Sequence, residues 1–512
     1  MALQPRGSQL FVDWRYVDAG EVDWTSNTAP VNQWKGQPPA DIRGVATGPS
    51  GIRLQTQKAE TVGPILLMDR PWEMQYNMYF ANAMYEDGIY RAWYTCIPPD
   101  HLMHRWSNAA GQVICYAESQ DGFNWKKPNL GLYSYHGEPT NVVFGRELSL
   151  YGCQSGSIFK DPKAPSEERY KLFYVGVVSS DNLEDLKSTW RKRFGDAGVS
   201  PTSFKKGKDG GGTANVICAA ISPDGIHWKP IPEPLMIWPS DTLNNVYWDE
   251  KLAKYVAYLR LRRDGRRIIV RAESADFLTW KNLPVPVLEP PLEWPPTDDA
   301  YTNSHTIYPG SGDTHLMFPG VFHRFTDNRD IYLASSFDGI NWKWVPGGPV
   351  VECGSLGSWN GGDINPGIGL VPLSCDRIAL PIMGYVKPHK FPRGGDQVLG
   401  QPGWAIWQKG RISAIIADGR GEFSTMAIRF EGKQLSLNLK TKQAGELLVE
   451  LQDENNVPIP GYTFADANPI TGDSLDRRVT WNGNADISAL SGITIVMSFR
   501  LRSAQLYAFE FV

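Results

Sequence analysis

Nearly the same nine residues occur four times in this chain. They read A-E-S-Q-D-G-F-N-W at 117–125, A-I-S-P-D-G-I-H-W at 220–228, A-E-S-A-D-F-L-T-W at 272–280 and A-S-S-F-D-G-I-N-W at 334–342. A catalytic motif is needed once, so a motif written four times belongs to the scaffold, and its copies report architecture. Each follows an apolar run (V-I-C-Y-A, N-V-I-C-A-A, R-I-I-V-R-A, I-Y-L-A) and precedes a short aromatic stretch. Asp-Gly between such runs signals a hairpin, because glycine accepts a positive φ and the Asp side chain bonds nearby turn amides. Each copy therefore reads as a hairpin between the last two strands of a four-stranded unit. Its Trp packs over the turn, and Asp121, Asp224, Asp276 and Asp338 are structural.

The spacing sets the size of the unit. Asp224 to Asp276 is 52 positions, Asp276 to Asp338 is 62, and Asp121 to Asp224 is 103, one unit plus a polar insertion over about 179–213. Repeats of roughly 40–50 residues with four strands each are the mark of a β-propeller. A fifth, unboxed unit fits D-I-N-P-G-I-G-L-V, R-I-A-L-P-I-M-G-Y and G-W-A-I-W-Q. It lacks an outer strand, which Q-L-F-V-D-W or P-I-L-L-M-D near the N-terminus would supply to close the ring. Past residue 409, runs such as Q-L-S-L-N-L-K and T-I-V-M-S-F-R-L alternate with period two, as strands with one buried face do. The expected fold is all-β: a five-bladed propeller over 1–408 followed by a C-terminal β-sandwich over 409–512.

Composition narrows the function classes. Charged residues are 21% of the chain and the formal net charge is −4, which leaves no basic face for nucleic acid. No apolar run of 18 residues exists, so no membrane span is expected. The start, M-A-L-Q-P-R-G-S-Q-L-F-V-D, has no apolar h-region. A cytoplasmic location is expected, or a secreted or periplasmic one if a leader has been removed. The six cysteines show no paired metal spacing, and Cys115 and Cys218 sit in strand-like apolar runs as buried thiols. The lysine- and glycine-rich K-D-G-G-G-T follows no strand and reads as a flexible loop rather than a phosphate cradle.

In a propeller the first strand of each unit lines the axis, so polar residues at or just before those strands are the candidates. They include Trp72, Glu73, Gln75 and Asn77 in unit one, Asp241 and Asn245 in unit three, Asn303 and His305 in unit four, and Trp359 and Asp363 in unit five. Carboxylates, amides, a histidine and tryptophans together suit a sugar substrate. Glycoside hydrolysis needs two carboxyl groups about 5 to 9.5 Å apart, which blades meeting at an axis can supply. The expected acidic trio is Glu73 as acid, Asp363 as base or nucleophile and Asp241 as stabiliser, with His305 and Asn303 orienting them. Trp72, Gln75, Asn77, Asn245 and Trp359 complete the substrate-binding set. Asp299 and Glu352 are substitutes, and Asp161, in F-K-D-P, reads as a turn residue beside Arg169. No cofactor is implied, and a calcium or sodium ion on the axis has no support in the sequence.

L-F-V-D-W, F-K-D-P…E-E-R-Y-K-L, S-P-D-G-I-H-W, S-D-T-L-N-N-V-Y-W-D, Y-T-N-S and the ending L-Y-A-F-E-F resemble bacterial proteins similar to glycoside hydrolase family 32 and its five-bladed relatives, family 43 included. The resemblance spans nearly the whole chain and implies a furanose- or pyranose-cleaving enzyme with axial carboxylates. The family 32 motif W-M-N-D-P-N-G is absent, Glu352-Cys353 is only a bare dipeptide, and Lys160-Asp161-Pro162 only echoes R-D-P, so fructoside specificity is not implied. The repeated box also resembles the sialidase S-x-D-x-G-x-x-W. That resemblance would imply an arginine triad and a tyrosine nucleophile, for which Arg260, Arg262, Arg271 and Arg324 are available. A carbohydrate-binding propeller without catalysis is the remaining alternative.

Overall fold

The computed structural model describes residues 2–25, 43–46, 48–73, 76–77, 82–98, 111–145, 147–195, 204–206, 212–280, 284–390 and 400–512. The protein is all-β apart from one α-helix and short 3-10 turns among the described residues. Strands follow one another as antiparallel meanders. The first sheet runs through Asn82–Glu86, Ile89–Ile97, Val113–Ser119 and Trp125–Lys126; the second through Gln154–Lys160, Tyr170–Ser179, Gly212–Ser222 and Lys229–Pro230. The third is Asn245–Asp249, Lys254–Arg263, Arg266–Ser274 and Val285–Leu288. In the fourth unit the strands break midway. Asp298–Thr302, Gly320–His323 and Asn328–Ile331 form one small sheet, and His305–Ile307, His315–Met317, Ala334–Ser336 and Lys343–Trp344 form another. The fifth is Asp363–Pro366, Arg377–Tyr385, Gly400–Gln408 and, from the far N-terminal side, Glu60–Val62.

Buried hydrogen bonds link the first strand of each unit, or the turn beside it, to the next. Asn82 donates to the Gly156 carbonyl at 2.8 Å, and Gln154 donates to the Asp241 carbonyl at 3.0 Å. The His305 N–H donates to Asn245 at 2.5 Å, and Ser304 bonds the Gly367 carbonyl. The Ala83 N–H, donating to the Ile368 carbonyl at 2.8 Å, returns this chain of contacts to its start. The result is a propeller.

Each repeated box builds the same turn. The serine hydroxyl donates to the aspartate (2.9 Å in Ser119–Asp121 and Ser336–Asp338), and one carboxylate oxygen accepts the next two free backbone N–H groups. The box tryptophan donates to the carbonyl of the residue after the aspartate, Gly122, Gly225, Phe277 or Gly339, at 2.8–3.1 Å. In three copies that carbonyl also takes a donor from a neighbouring sheet: Trp404 to Gly122, Trp93 to Gly225 and Tyr258 to Gly339. The box is thus both a hairpin and a clip between sheets. The residue after the aspartate has φ between 67° and 80° in all four copies, Phe277 included at 69°. A phenylalanine tolerates this left-handed backbone in the third copy because its ring is buried against Phe173, Tyr255 and Trp280.

Two N-terminal stretches depart from expectation. Q-L-F-V-D-W does not close the ring: Gln9–Leu10 pairs with Phe509 and Ala508 at the end of the C-terminal sheet. The physical reason is apolar burial, since Leu10, Phe11 and Val12 are 0–1% exposed and Phe11 packs on Phe423 and Phe509. Glu60–Val62, just ahead of P-I-L-L-M-D, pairs with Trp404–Ile406 and completes the fifth sheet. The polar insertion also contains regular structure. Ser180–Phe194 is an α-helix whose Leu183 and Trp190 are buried against the second sheet, while most of K-D-G-G-G-T lies outside the described residues.

The C-terminal part is built on two long strands, Leu435–Gln452 and Thr494–Phe511, which pair through bulges and so bend. Ser413–Ser424, Asp473–Arg478, Arg53–Thr56 and Gln9–Leu10 extend this sheet. Its inner side chains, Leu437, Val449, Phe499 and Leu506 among them, share one core with Leu316, Leu333, Ile364 and Leu380 of the propeller's fourth and fifth units. All six cysteines are free thiols, and four are buried.

The turn hydrogen bonds hold the Asp224 and Asp338 carboxyls down at about 2, against the opposing pull of burial. A depressed folded-state value means the stabilisation is complete above the unfolded value of about 3.9 and is lost as pH falls through the folded value. Asp338→Ala is expected to lower unfolding free energy by about 1–2 kcal/mol at pH 7, the worth of its turn hydrogen bonds. Urea titrations should show the gap to the parent closing between about pH 4 and pH 2; an unchanged gap at low pH would contradict this account of the turn.

Candidate active site

The fourth unit's broken strand places Asp298–Thr302 upstream of the inner-strand segment His305–Ile307 and against Arg266–Ser274 of the third unit, while Asn328–Ile331 at the other edge of the same small sheet lies beside Asp363–Pro366 of the fifth. There Tyr301, half-buried, is surrounded by arginine. The guanidinium carbons of Arg260 and Arg267 each lie 4.6 Å from its ring centre, and that of Arg329 lies 5.1 Å away. All three arginines are buried, Arg329 to 1% exposure.

Each arginine carries an aspartate partner from a neighbouring element. Arg260 pairs with Asp241, which precedes the third unit's first strand. Arg267 bonds Asp299 at 2.5 Å, and Arg324 bonds the same carboxylate at 2.6 Å. Arg329 pairs with Asp363 through its side chain, and its backbone N–H donates to the same carboxylate at 2.8 Å. Asp241, Arg260, Tyr301, Arg329 and Asp363 thus form one continuous set of contacts, which joins two of the three carboxylates singled out in the sequence. The Arg267 and Arg324 guanidiniums hold the Asp299 carboxyl below the usual carboxylate range although burial opposes them. The Asp363 carboxylate likewise raises Arg329 against the opposing effect of burial.

His389 completes the group. Its Nε2 lies 3.1 Å from the Tyr301 hydroxyl, and its Nδ1 lies 3.2 Å from an Arg329 amino nitrogen. A guanidinium only donates, so Nδ1 of the neutral ring accepts and Nε2 carries the proton toward the tyrosine oxygen. Burial alone would raise the Tyr301 hydroxyl, but Arg260, Arg329 and Arg267 outweigh it and bring its pKa below the ordinary 10.

Below this cluster, along the inner strands and their upstream turns, Gln154 Oε1, Ser157 Oγ, Thr242 Oγ1, Thr302 Oγ1, Asn303 Oδ1 and Asn365 Oδ1 are buried without a hydrogen-bond partner among the described residues. Polar oxygens in that state cost about 1–3 kcal/mol each unless water or a ligand meets them. The inner strands thus carry buried oxygens that the described residues leave unmet.

The other expected site residues make no contact with the Tyr301 cluster that the described residues show. Glu73, on the turn Pro71–Glu73, is fully buried. One oxygen accepts from the Tyr94 hydroxyl at 2.6 Å; the other accepts from Lys127 at 2.6 Å and the Arg70 N–H at 3.1 Å. Cys96 and Cys115 lie beside it, so that the three ligand-type atoms fall within 4.8 Å of one another. Lys127 already supplies the cation there, and burial keeps the Cys96 thiol protonated. Trp72 is buried in the same cluster and donates to Asn141 at 3.0 Å. His305 is buried between the third and fourth units, stacked on Tyr247 at 4.1 Å and bonded to His315 at 3.0 Å. Burial, His315 and Arg271 hold it neutral. Asn245 accepts the His305 N–H, and Asn303 donates to the Tyr258 carbonyl at 3.3 Å. Trp359 lies flat on the fifth unit, where a Cβ on Gly63, Gly384 or Gly403 would come within 2.3–2.5 Å of its ring. Gln75 lies outside the described residues, as does the side chain of Asn77. Asp161 accepts from Tyr255 at 2.7 Å, inside the contact between the second and third units.

Tyr301, Arg267, Arg329 and His389 were not singled out in the sequence. The one signal they leave is arginine inside otherwise apolar strand runs, as in R-R-I-I-V and N-R-D-I-Y. Of the arginines considered for a triad, Arg260 faces Tyr301 and Arg324 reaches Asp299, while Arg271 bonds Glu273 at 2.5 Å next to the buried histidines.

No family model and no curated protein matches the chain. Among solved structures it is similar to the Bombyx mori GH32 beta-fructofuranosidase BmSUC1, at 10% identity and TM-score 0.40, over 88% of this chain and 95% of that one. It is also similar to the catalytic domain of the Coprinopsis cinerea GH62 alpha-L-arabinofuranosidase, at 11% identity and TM-score 0.39, over 69% and 97%. A third is an N-acetylgalactosamine deacetylase from F. plautii in complex with blood group B trisaccharide, at 13% identity and TM-score 0.45, over 70% and 96%.

Glu73→Ala is expected to destabilise the fold by about 2 kcal/mol, because it removes the buried partner of the Lys127 ammonium, leaving it the exposed Asp69 carboxylate and the Leu67 carbonyl, and deprives the buried Tyr94 hydroxyl of its acceptor. Denaturant unfolding measures this directly; a stability equal to the parent's would show that Lys127 is solvated.

Proposed function

We propose that the chain is a glycoside hydrolase built on a five-bladed propeller, with its reaction at the upstream end of the axis around Tyr301. The observation that carries this reading is the contact set Asp241–Arg260–Tyr301–Arg329–Asp363, which brings two arginine–aspartate pairs from different parts of the ring against one partly buried phenol. Glu73 stands outside it, since both its oxygens are committed to Tyr94, Lys127 and a backbone N–H.

The chemistry divides by protonation state. Asp241 and Asp363 are each tied to a buried arginine, an arrangement that favours the ionised carboxylate and disfavours a proton-donating one. Asp363 fixes the Arg329 guanidinium against the tyrosine, and Asp241 does the same for the Arg260 guanidinium. Tyr301 is the acid: arginine brings its pKa toward the working range, where proton donation to a leaving oxygen is most effective. His389, at 3.1 Å, reprotonates it.

The test is a screen of nitrophenyl furanosides and pyranosides, neutral and uronic, with plant and algal polysaccharides, against the parent, Tyr301→Phe, Asp241→Asn and Asp363→Asn. Each substitution is expected to lower kcat by about 10²–10⁴-fold with folding retained by circular dichroism. The parent's rate is expected to fall as pH rises through the lowered Tyr301 pKa, because the acid is then deprotonated, and that limb should vanish in Tyr301→Phe. Undiminished turnover in all three variants removes the assignment, and glycan binding without turnover by the parent leaves a sugar-binding propeller instead.

A further inference from the structure

We infer that the substrate of this site carries a carboxylate, as in a uronic or ulosonic acid residue, and that Arg267 and Arg329 bind it. The inference rests on the glycosidase reading and deepens it. Four guanidiniums, from Arg260, Arg267, Arg324 and Arg329, gather around Tyr301 and its neighbours, against three aspartates, Asp241, Asp299 and Asp363. Asp299 serves two of the four, so one positive charge is left without a counter-charge among these groups.

The donors are left over as well. Nη1 of Arg329 and Nε of Arg267 are buried and have no hydrogen-bond partner among the described residues. A buried guanidinium with idle N–H groups is costly unless an acceptor meets it, and a carboxylate matches its planar donors better than a neutral hydroxyl does. The same guanidiniums, three of them within 5.1 Å of its ring centre, bring the Tyr301 hydroxyl below its ordinary pKa against the effect of burial.

Reaction chemistry points the same way. Glycoside cleavage develops positive charge on the sugar ring, and a net positive site opposes that unless the sugar brings a negative charge of its own. A carboxylate seated on Arg267 and Arg329 supplies it, so that neither Asp241 nor Asp363 has to.

Calorimetric titration of the intact protein separates this from the hydrolase reading, because it measures binding alone. D-galacturonate, D-glucuronate and N-acetylneuraminate are compared with D-galactose and D-glucose, with galactose 6-sulfate as the non-carboxylate anion. At least one carboxylated sugar is expected to bind about tenfold or more tighter than the neutral sugars, with an affinity that falls as salt rises. Arg267→Gln should weaken that binding by about tenfold, bringing the carboxylated sugar toward the affinity of its neutral counterpart. Asp299 keeps Arg324 in this variant, so no buried carboxylate is orphaned, and thermal unfolding verifies the fold. Equal binding of acidic and neutral sugars, no binding of any carboxylated sugar, binding of the sulfate alone, or an undiminished Arg267→Gln affinity each overturns the inference. Carboxylate binding with no hydrolysis of any uronide or ulosonide sinks the hydrolase reading and leaves this one standing.

Discussion

The architecture depends on one small arrangement: an aspartate carboxylate that accepts the free N–H groups of its own turn, and a carbonyl one residue on that accepts tryptophan or tyrosine donors. A hairpin needs only the first half. The second half ties one sheet to its neighbour, since Trp93, Trp404 and Tyr258 all reach out of their own sheets to do it. Propeller sheets bury their faces against one another and leave little to fix their relative rotation. A directional bond from a large buried ring at the outer edge supplies that constraint, while the Asn82, Gln154 and Asn245 side chains do so near the axis.

That division of labour explains why polar groups differ so much across the molecule. At the sheet edges and between the inner strands they are bonded to protein and act as fasteners. Toward the upstream end, Thr302, Asn303 and Asn365 keep oxygens without partners among the described residues, and the ion pairs around Tyr301 hold four arginines in place. Two of the buried pairs, Arg267 with Asp299 and Arg329 with Asp363, join different units, so the charge cluster is assembled only when the units are correctly docked. Stability and site geometry are therefore coupled through the same contacts.

How much of this was legible in the sequence follows from how local each feature is. The boxes are local, since serine, aspartate and tryptophan within seven residues make every bond of the turn, and from them the all-β propeller and the role of Asp338 and its equivalents could be read. The helix Ser180–Phe194 was hidden by its polarity, although Leu183, Leu186 and Trp190 recur at helical spacing and supply its buried stripe. The Tyr301 cluster was not legible, because its pairs join Asp241 to Arg260, Arg267 to Asp299 and Arg329 to Asp363, across 19 to 34 positions and between different strands. Asp241 and Asp363 were found by position at the inner strands. His305 shares that position, yet its ring turns into the contact with Tyr247 and His315, and strand alternation alone does not show toward which neighbour a side chain turns.

The fifth sheet's outer strand, Glu60–Val62, comes from the opposite end of the ring in sequence, and Gln9–Leu10 waits likewise for the final strand of the chain. A ribosome makes these segments first and their partners last. More than three hundred residues separate Thr61 from Ala405, so four meanders emerge and dock before the edge they must join exists. Loop closure over that span makes ring completion a late, non-local event in folding. Until then two strand edges, one at each end of an open arc, are available to another chain. The nascent protein is most exposed to mispairing just before its last hundred residues appear, and the intact ring removes both edges in one step.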